Sequence, residues 1–393
     1  MRQIVTSERQ PIKLWLDDME EGAMAQARNL ANLPFIHSHV AIMPDAHLGY
    51  GMPIGGVMAT NEVVIPNAVG VDIGCGMCAV RTSLTAISHD QLLFLLAAIR
   101  TMVPLGFKHH ANKQEARLMP PAPAGVGLDD LPVVSRLYGG ARTQLGTLGG
   151  GNHFIEIQKG SDGHIWIMVH TGSRNLGFQV ANFYNKQAVA MNKKLSTGVV
   201  IPRQWQLAYL PLSNVLGRQY LLEMEYCVAF AQANRDLIIA RIQTALRNML
   251  PVVLFDEPIN IAHNYAAREQ HFGREVIVHR KGATRARKGE LGIIPGSQGA
   301  PSYIVRGLGN PESFESCSHG AGRRMGRREA QRRLDLADEV EAMEKQGIIH
   351  AIRGRRDLDE AAGAYKEIAR VVENQLDLIE VVVSLKPLAV IKG

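Results

Sequence analysis

The sequence predicts an α+β fold in which residues 1–393 form one large domain with mixed sheets and peripheral helices. Segments with apolar residues at helical spacing are interspersed with short runs rich in β-branched residues, so the chain combines helices and strands. A chain of 393 residues that is 46% hydrophobic can bury a large core. The sequence contains no internal repeat, low-complexity tract or obvious linker, which favours a single integrated domain.

Several segments are predicted to be helices. Ser88 and Gln91 fit a capping box ahead of an apolar run, so residues 89–102 should be helical. Residues 217–249 carry apolar residues at helical spacing with no interior proline or glycine, which predicts a long helix. The remaining predicted helices are residues 16–31, 176–195 and 325–346.

Short β-rich runs and Gly-rich loops lie between these helices. The predicted strands are HIWIMVH (164–170), VVLF (252–255), EVIVH (275–279) and YIV (303–305). The polar residues of interest fall in loops at the edges of such runs: MPDAHLGYG (43–51), GVDIGCGM (70–77), GGGNHFIE (149–156), VHTGSRNLG (169–177), IAHNYA (261–266), IIPGSQG (293–299) and CSHGAGR (317–323). Because a rigid scaffold that presents loops is the usual way to build a site, we expect the functional residues in these loops.

Charge and composition limit the classes of function. Lys and Arg total 43 against 37 for Asp and Glu, and the pI near 9.1 mildly favours a polyanionic partner such as nucleic acid. Two basic clusters, RKGATRARK (280–288) and RRMGRREAQRR (323–333), are either solvated faces or contacts for phosphate or RNA. The run LLFLLAAI (92–99) is too short to cross a bilayer and the first residues lack an apolar leader, so we expect a cytoplasmic protein without a membrane segment.

Histidines and cysteines point to a metal site. Several of the 14 histidines lie in the Gly-rich loops: His47, His153, His170, His263 and His319. Each of them alone could be a structural histidine that bonds a backbone group. The 4 cysteines are too sparse for a disulfide framework, and no second CxxC follows Cys75 and Cys78, so a Cys₄ zinc site is poorly supported. One thiolate, the Asp72 carboxylate and several imidazoles could hold one divalent ion or two bridged ions, and ligand chemistry alone allows Zn²⁺, Mn²⁺ or Fe²⁺.

An ordered series of motifs resembles the RtcB family of RNA-splicing and RNA-repair ligases. The motifs are MPDAHLGYGMPIGG, GVDIGCGM, GTLGGGNHFIE, HTGSRNLG, IAHNYA, HRKGATRA, PGSQGAPSY, SCSHGAGR and the closing AVIKG, and they run from about residue 43 to the last residue. The resemblance implies an enzyme that uses GTP and two Mn²⁺ ions. It would join an RNA 3′-phosphate or 2′,3′-cyclic phosphate to a 5′-hydroxyl.

The resemblance also implies roles for single residues. The implied metal ligands are Asp72, Cys75, His153, His170 and His263, with Cys75 bridging the two ions. His319 is similar to the family's guanylylated histidine, whose neutral imidazole would attack the α-phosphorus of GTP; alternatively it only holds the shape of a glycine turn. Asp45 matches an acidic family residue that would orient this histidine, or it is a turn-forming Asp. Cys78 matches no family role, and we expect it to be buried.

The GMP contacts implied by the resemblance are Asn152, His153, Phe154, Ile155, Glu156, His263, Asn264, Pro295, Gly296, Ser297, Gln298, Ser302, His319, Gly320, Ala321, Gly322 and Lys392. Glu156 could accept hydrogen bonds from guanine N1 and N2, which adenine cannot donate, and so would select GTP over ATP. Tyr365 either stacks on the guanine or packs in the core. The segment RKGATRARK and the arginines Arg323, Arg324, Arg327 and Arg328 would flank the RNA phosphates.

The sequence departs from the family pattern at Gln298, where Met is usual, at Gly326, where Ser is common, and at Ala362, where proline is usual. These departures suggest a different substrate preference. A two-metal RNA phosphodiesterase in which His319 acts only as an acid or base is one alternative function, and a non-catalytic RNA-binding protein is another. A monomer is the default expectation, and an archease-like activating partner is possible.

Overall fold

The computed structural model describes residues 1–193 and 200–393. The helices in these ranges are α1 (Glu21–Ala31), α2 (Pro66–Val69), α3 (His89–Met102), α4 (Pro132–Gln144), α5 (Arg174–Lys193), α6 (Val215–Met249), α7 (Arg327–Arg333), α8 (Leu336–Glu344) and α9 (Ile368–Glu373). None of the helices in the described ranges has the length and apolar character needed to cross a membrane.

The strands are β1 (Gln3–Val5), β2 (Ile12–Leu14), β3 (Ile36–Tyr50), β4 (Met52–Thr60), β5 (Val63–Val64), β6 (Gly76–Arg81), β7 (Phe154–Gly160), β8 (Ile165–Thr171), β9 (Leu210–Pro211), β10 (Ile259–Ala262), β11 (Asn264–His271), β12 (Arg274–Lys281), β13 (Ala283–Arg285), β14 (Leu291–Ile294), β15 (Ser302–Gly307), β16 (Ser316–Ser318) and β17 (Ile379–Lys392).

Among the described residues, these strands form two larger sheets and two small ones. The first sheet has the order β1-β2-β3-β4-β12-β11 and is antiparallel except between β2 and β3. The second sheet has the order β10-β6-β8-β7-β17-β15-β14 and is antiparallel throughout. Strands β13 and β16 pair with each other, as do β5 and β9. This combination of largely antiparallel sheets with separate helices confirms the predicted α+β class.

Helix α6 organises the core. The side chains of Tyr220 and Phe230 in its first half are fully buried in an apolar cluster shared with α4 and α5. Ile238 and Ile242 in its second half are buried against α3 and the second sheet. Since full burial of one such aliphatic side chain is worth about 1.5–3 kcal/mol, α6 fixes the position of the second sheet, whose strands β7 and β17 carry part of the site described below.

Most helix predictions are confirmed. The Ser88 hydroxyl accepts from the backbone N–H of Gln91 and starts α3 as the capping box indicates. Helix α6 begins two residues before the predicted position, and α1 begins at Glu21, since residues 16–20 are not helical. Helix α5 reaches Lys193, and the rest of its predicted length, residues 194–195, lies outside the described residues.

The prediction of one helix over 325–346 is wrong, because that segment forms two short helices. Leu334 ends α7 with an extended backbone, φ −79° and ψ 141°. Asp335 then caps α8, and its side chain accepts from the backbone N–H groups of Ala337 and Asp338. A carboxylate that bonds the backbone in this way competes with a continuous helix.

The strand predictions succeed for β8, β12 and β15 and fail for residues 252–255. Val253 N–H bonds to the carbonyl of Leu250 in a turn after α6, and Phe255 makes one isolated bridge to Thr82. Val252 and Leu254 stay exposed. This run has β-forming residues but no neighbouring strand to complete a ladder, which is what a strand requires.

Two long strands pass through segments that the sequence indicated only as loops or chain end. The MPDAH motif lies inside β3, where the pairing with β4 shifts register between Ile42 and His47. The last residues form β17, which lies between β7 and β15 and places Lys392 opposite Phe154. A bulge in β3 and a terminal strand in the middle of a sheet therefore shape the site.

Candidate active site

A pocket lies between strands β7 and β17 of the second sheet and the bulged part of β3. Asn152, Phe154, Glu156 and Lys392 line it from β7, the preceding loop and β17. The remaining lining residues are His47, Ile54, His170, Pro295, Gly296, Ser297, Gln298, His319, Gly320, Ala321, Gly322, Arg323, Arg327, Glu360 and Tyr365. The pocket thus joins residues from the two ends of the chain and from most of the Gly-rich motifs.

The predicted metal ligands converge at one side of this pocket. Cys75, His170 and His263 form one group of potential ligand atoms within 4.8 Å of one another, and Asp72, Cys75 and His153 form a second. The Sγ of Cys75 lies 3.3 Å from Nε2 of His170 and 3.5 Å from Nε2 of His153. The Cys75 sulfur is therefore shared by both groups, which is the arrangement that a bridging thiolate needs.

Glycines let the GVDIGCGM turn approach its neighbours. Cys75 N–H bonds to the carbonyl of Asp72 at 3.1 Å, which closes the turn and aims both side chains the same way. Gly74 has φ 74°, a conformation that other residues rarely adopt. A Cβ at Gly172 would lie 2.6 Å from Oδ1 of Asp72. These glycines explain why the carboxylate and the thiol can share one small space.

Hydrogen bonds and burial keep two of the predicted ligands, His170 and His263, in the neutral state that a metal ion requires. His170 donates from Nδ1 to the carbonyl of Asn152 at 3.1 Å, which leaves Nε2 with a lone pair facing Cys75. Burial, reinforced by neighbouring histidines, keeps the pKa of His170 and of His263 well below the ordinary value, so both rings are neutral. Among the described residues, Nδ1 of His263 is buried without a hydrogen-bond partner.

The pKa of Asp72 and the pKa of Cys75 are shifted in opposite directions. Burial raises the pKa of Asp72, but the hydrogen bond and the charge interaction with His153, together with smaller contributions from Cys75 and His170, outweigh burial and lower the pKa to about 2. Burial and the Asp72 charge raise the pKa of the Cys75 thiol well above its usual range. A divalent cation between the two would reverse the thiol shift, because it favours the thiolate. The donor set of thiol, carboxylate and neutral imidazoles fits Mn²⁺, Zn²⁺ or Fe²⁺.

His319 lies next to the ligand cluster and is held by Asp45. Its Nδ1 donates to Oδ2 of Asp45 at 2.6 Å, and the same oxygen accepts from the backbone N–H groups of His319 (3.0 Å) and Gly320 (3.3 Å). Asp45 is fully buried, whereas the His319 side chain is 17% exposed toward the pocket side. The His319 and His263 rings have centroids 4.8 Å apart. Because Nδ1 carries the proton, Nε2 of His319 has a free lone pair.

The other end of the pocket contains a buried carboxyl. Glu156 accepts at Oε2 from the Gln158 amide at 2.7 Å, and that amide also donates to the Ser302 hydroxyl at 3.1 Å. Burial raises the pKa of Glu156 to about 8, against the lowering effect of Lys392. Nζ of Lys392 lies 5.9 Å from the centroid of the Phe154 ring. An acceptor, a cation and an aromatic face are thus arranged around a space that a flat polar ring could enter.

The structure separates the predicted nucleotide contacts into different positions. Ile155 faces away from the pocket into the apolar core, as strand alternation requires. Ser302 is not one of the lining residues, and its hydroxyl accepts from the same Gln158 amide that donates to Glu156. The Asn264 amide spans two turns, since it donates to the carbonyl of Asp72 (3.2 Å) and accepts from Gly282 N–H (2.7 Å). His153 and His263 belong to the groups of potential metal ligands, and the other predicted contacts line the pocket.

The departure at position 298 places a polar side chain in a buried bridge. Gln298 is 4% exposed, and it donates to the carbonyl of Glu360 at 3.1 Å and accepts from Ala351 N–H at 3.3 Å. This amide therefore ties the loop at 295–298 to the segment around Glu360. Gly326 occupies the N-cap of α7 without a side-chain cap. Ala362 begins a short 3₁₀ turn behind the pocket.

Two residues that organise the site have no sequence motif. Arg235 on α6 is fully buried and donates from Nη1 to the carbonyls of Gly74 (3.0 Å) and Thr171 (2.9 Å), so it ties two ligand-bearing loops together. The sequence could have indicated Arg235, because it is a charged residue at a position where the helical spacing of α6 predicts a buried side chain.

Glu360 is 4% exposed and binds a set of pocket residues: Arg323, Arg327, Tyr365 and Lys392. The Tyr365 ring lines the pocket and also packs under Arg323.

The two basic clusters differ in their surroundings. In RKGATRARK, Arg280 is fully buried and ion-paired with Glu269, and Lys281 is buried with its ammonium donating to backbone carbonyls. The expectation that the whole of this cluster contacts RNA is therefore wrong, because a buried arginine cannot reach a phosphate. In the second cluster, Arg327 lines the pocket and Arg328 is exposed beside it. This second cluster offers positive charge at the pocket entrance.

Comparison with known proteins agrees with this geometry. The family model described as tRNA-splicing ligase RtcB matches residues 26–393. The RNA-splicing ligase RtcB of Escherichia coli K12 is 40% identical over 411 residues, which cover 100% of this chain and 99% of that protein. The tRNA-splicing ligases RtcB of Nanoarchaeum equitans and Thermococcus kodakarensis are each 32% identical, over 98% of this chain and 95% of those proteins. This chain therefore belongs to the RtcB family.

Proposed function

We propose that this protein is a GTP-dependent RNA ligase that joins an RNA 3′-phosphate or 2′,3′-cyclic phosphate to a 5′-hydroxyl through a guanylylated His319. The observation that carries the proposal is the Asp45–His319 hydrogen bond of 2.6 Å, which fixes the proton on Nδ1 and leaves Nε2 as a nucleophile beside a metal-binding cluster. The names of the relatives, RNA-splicing and tRNA-splicing ligases, support the same reaction class.

The proposed reaction has three transfers. Nε2 of His319 attacks the α-phosphorus of GTP, an N–P bond forms, and pyrophosphate leaves with the bonding pair of the broken P–O bond. A 2′,3′-cyclic phosphate is hydrolysed by water to the 3′-phosphate before the second transfer. An oxygen of the RNA 3′-phosphate then attacks the same phosphorus, and the N–P bond breaks with its electron pair returning to the imidazole. The 5′-hydroxyl finally attacks the RNA phosphorus and GMP departs, which leaves a phosphodiester. The buried Asp45 carboxylate stabilises the positive charge that the His319 ring acquires in the first transfer.

We propose that the two ligand groups around Cys75 hold two Mn²⁺ ions. The proposed ligands are Asp72, Cys75, His153, His170 and His263. When bound, the ions would neutralise phosphate charge and orient the phosphates next to His319. Arg235 and the hydrogen bond from His170 to Asn152 keep the ligand loops in place.

Guanine selection is proposed to depend on Glu156. Its ionised carboxylate can accept from guanine N1–H and the N2 amino group, whereas adenine presents an unprotonated N1 at the equivalent edge. The Gln158 amide holds Oε2 of Glu156 at 2.7 Å and so limits the rotation of the carboxylate. A site built to accept these donors rejects a base that lacks them.

We also propose that residues 1–393 act as one catalytic domain, because His47 near the start of the chain and Lys392 at its end line the same pocket. The RNA phosphates are proposed to approach over the second basic cluster, where Arg327 and Arg328 are exposed. If the isolated protein joins RNA slowly, we propose that an archease-like partner activates it.

A joining assay tests the proposal. RNA ends that carry a 3′-phosphate and a 5′-hydroxyl are incubated with Mn²⁺ and either GTP or ATP, and the joined product is measured on a gel. We expect joining with GTP by the wild type and by His109→Ala, an exposed histidine control, and none by His319→Ala. RNA cleavage that does not need GTP, without joining, would instead support a two-metal phosphodiesterase.

A further inference from the structure

His47 belongs to the MPDAH motif but has no role in the proposed reaction so far. Its ring lines the pocket next to His319, and its Nδ1 lies 3.0 Å from the backbone carbonyl oxygen of Asp45. A carbonyl oxygen only accepts, so Nδ1 of His47 must carry the proton and Nε2 must be an unprotonated acceptor. Within residues 1–193 and 200–393, Nε2 of His47 makes no hydrogen bond.

Asp45 thus sets the tautomer of two histidines at once. Its side chain accepts from Nδ1 of His319 and its backbone carbonyl accepts from Nδ1 of His47. In the neutral form both rings therefore carry their lone pair on Nε2, and both residues line the pocket. The register shift of β3 next to His47 is what brings the backbone and the side chain of Asp45 into reach of the two rings.

The chemistry of the reacting groups limits what this second lone pair can bind. The phosphates of GTP, pyrophosphate and the RNA 3′ end offer oxygen acceptors, and an imidazole lone pair gains nothing from them. The RNA 5′-hydroxyl is the reactant that must lose a proton as it attacks. The lone pair of a ring that shares the pocket with His319 is therefore matched to this hydroxyl.

We infer that Nε2 of His47 accepts the proton of the RNA 5′-hydroxyl in the sealing step; this inference rests on the proposed ligase function. The hydroxyl oxygen forms a bond to the RNA 3′-phosphorus, and the P–O bond to GMP breaks with its electron pair leaving on GMP. The hydroxyl proton passes to Nε2 of His47 and from there to water. His47 would thus be a catalytic residue of the last transfer, and His319 of the first.

The surroundings of His47 keep its ring unprotonated, so that Nε2 can accept a proton. Burial lowers the pKa of His47 to about 4, so the ring is unprotonated before substrate binds. The charged and titratable groups that face it are His319, Asp45 and Lys366. The hydroxyl proton becomes strongly acidic as its oxygen bonds to phosphorus, so a ring of low basicity can accept it at that point.

The test isolates the sealing step by supplying RNA whose 3′ end already carries the guanylyl group, RNA(3′)pp(5′)G. Wild type, His47→Asn and His47→Gln are mixed with this RNA, a 5′-hydroxyl RNA and Mn²⁺, and single-turnover joining is followed. Asparagine keeps an N–H donor for the carbonyl of Asp45 but has no group at the Nε2 position. Glutamine places an acceptor near Nε2 that cannot take a proton. Label retained from α-labelled GTP measures the His319 step in each protein.

We expect both variants to seal about 100-fold more slowly than the wild type, the usual loss for a general base. Label on His319 should fall far less than sealing does in both variants, and circular dichroism checks that they are folded. A 5′-amino RNA attacks with its own nitrogen lone pair and should restore most of the sealing rate in the variants.

Three results would overturn the inference. The first is sealing of RNA(3′)pp(5′)G to 5′-hydroxyl RNA at the wild-type rate in both variants, and the second is an equal loss of sealing rate with 5′-amino RNA. The third, seen in the joining assay with GTP, is a loss of activity confined to RNA with a 2′,3′-cyclic phosphate. The last result would assign His47 to the water that opens the ring. Absence of label on wild-type His319 would contradict the proposed function itself, so the two failures are distinguishable.

Discussion

Replacing Asp45 with asparagine tests how a buried carboxylate controls His319. Oδ2 of Asp45 accepts from Nδ1 of His319 at 2.6 Å and from the N–H groups of His319 and Gly320. Asparagine has nearly the same shape, but it lacks the charge and adds an NH₂ group that can donate to Nδ1. In that orientation the imidazole proton moves to Nε2, and the lone pair that would attack GTP is lost.

The size of the effect follows from the charge. Two unit charges about 4 Å apart attract by about 4 kcal/mol at an effective dielectric constant of about 20, and this attraction develops as the His319 ring becomes positive. Asparagine retains part of it as a neutral hydrogen bond worth about 1 kcal/mol. The remaining loss of about 3 kcal/mol corresponds to a guanylylation rate roughly 150-fold lower, since each 1.36 kcal/mol is tenfold. The altered tautomer makes the loss larger.

The assay is the time course of label retained on the denatured protein after mixing with α-labelled GTP and Mn²⁺. Asp377→Asn serves as the matched control, because that carboxylate accepts from Met1 and Trp15 and is not part of the pocket lining. Circular dichroism checks that both variants are folded. If Asp45→Asn took up label as fast as Asp377→Asn, Asp45 would not control the tautomer of His319.

Three further outcomes are expected. Because burial raises the pKa of Glu156 to about 8 and guanine needs the ionised form, GTP affinity measured by calorimetry should rise by up to about tenfold per pH unit between pH 6 and 8, and Glu156→Gln should abolish this slope. A flat wild-type profile would contradict the role of Glu156. Gln298→Met leaves Ala351 N–H and the Glu360 carbonyl without their partner, so the free energy of unfolding measured with denaturant should fall by about 1–3 kcal/mol. The exposed control Gln346→Met should leave the free energy of unfolding unchanged. Equal stability of the two variants would show that the bridge is not stabilising. Cys75→Ser should lose most of its Mn²⁺ after gel filtration, as measured by elemental analysis, whereas Cys78→Ala, whose side chain lies in the apolar core, should keep it; retention by Cys75→Ser would rule out a shared thiolate ligand.

Local patterns in the sequence predict those parts of the fold that depend on neighbouring residues. The capping box at Ser88 and Gln91 sets the start of α3, and unbroken apolar spacing sets the length of α6. Residues 252–255 show the limit of such patterns, since β-forming residues become a strand only when another strand lies beside them. Asp335 shows another limit, because a residue with ordinary helix context can bond the backbone and begin a new helix.

The candidate site was predictable where motifs carry it and not where distant segments meet. Asp72 and Cys75 lie in one glycine-framed turn, so their convergence is visible in the sequence. The resemblance carried by the AVIKG motif names Lys392 as a contact, and Lys392 lines the pocket, but the composition of this segment does not indicate that β17 enters the middle of a sheet. Arg235 and Glu360 act through contacts to residues far away in the chain, and no local pattern marks such contacts.

The most direct test of the account is to incubate wild type and His319→Ala with α-labelled GTP and Mn²⁺, denature the proteins and locate the label by peptide mapping. The account predicts acid-labile label on the wild type, confined to the peptide that contains His319, and none on the variant. Absence of label from wild-type protein shown to contain Mn²⁺, or label on a different residue, would contradict the proposal that His319 carries GMP.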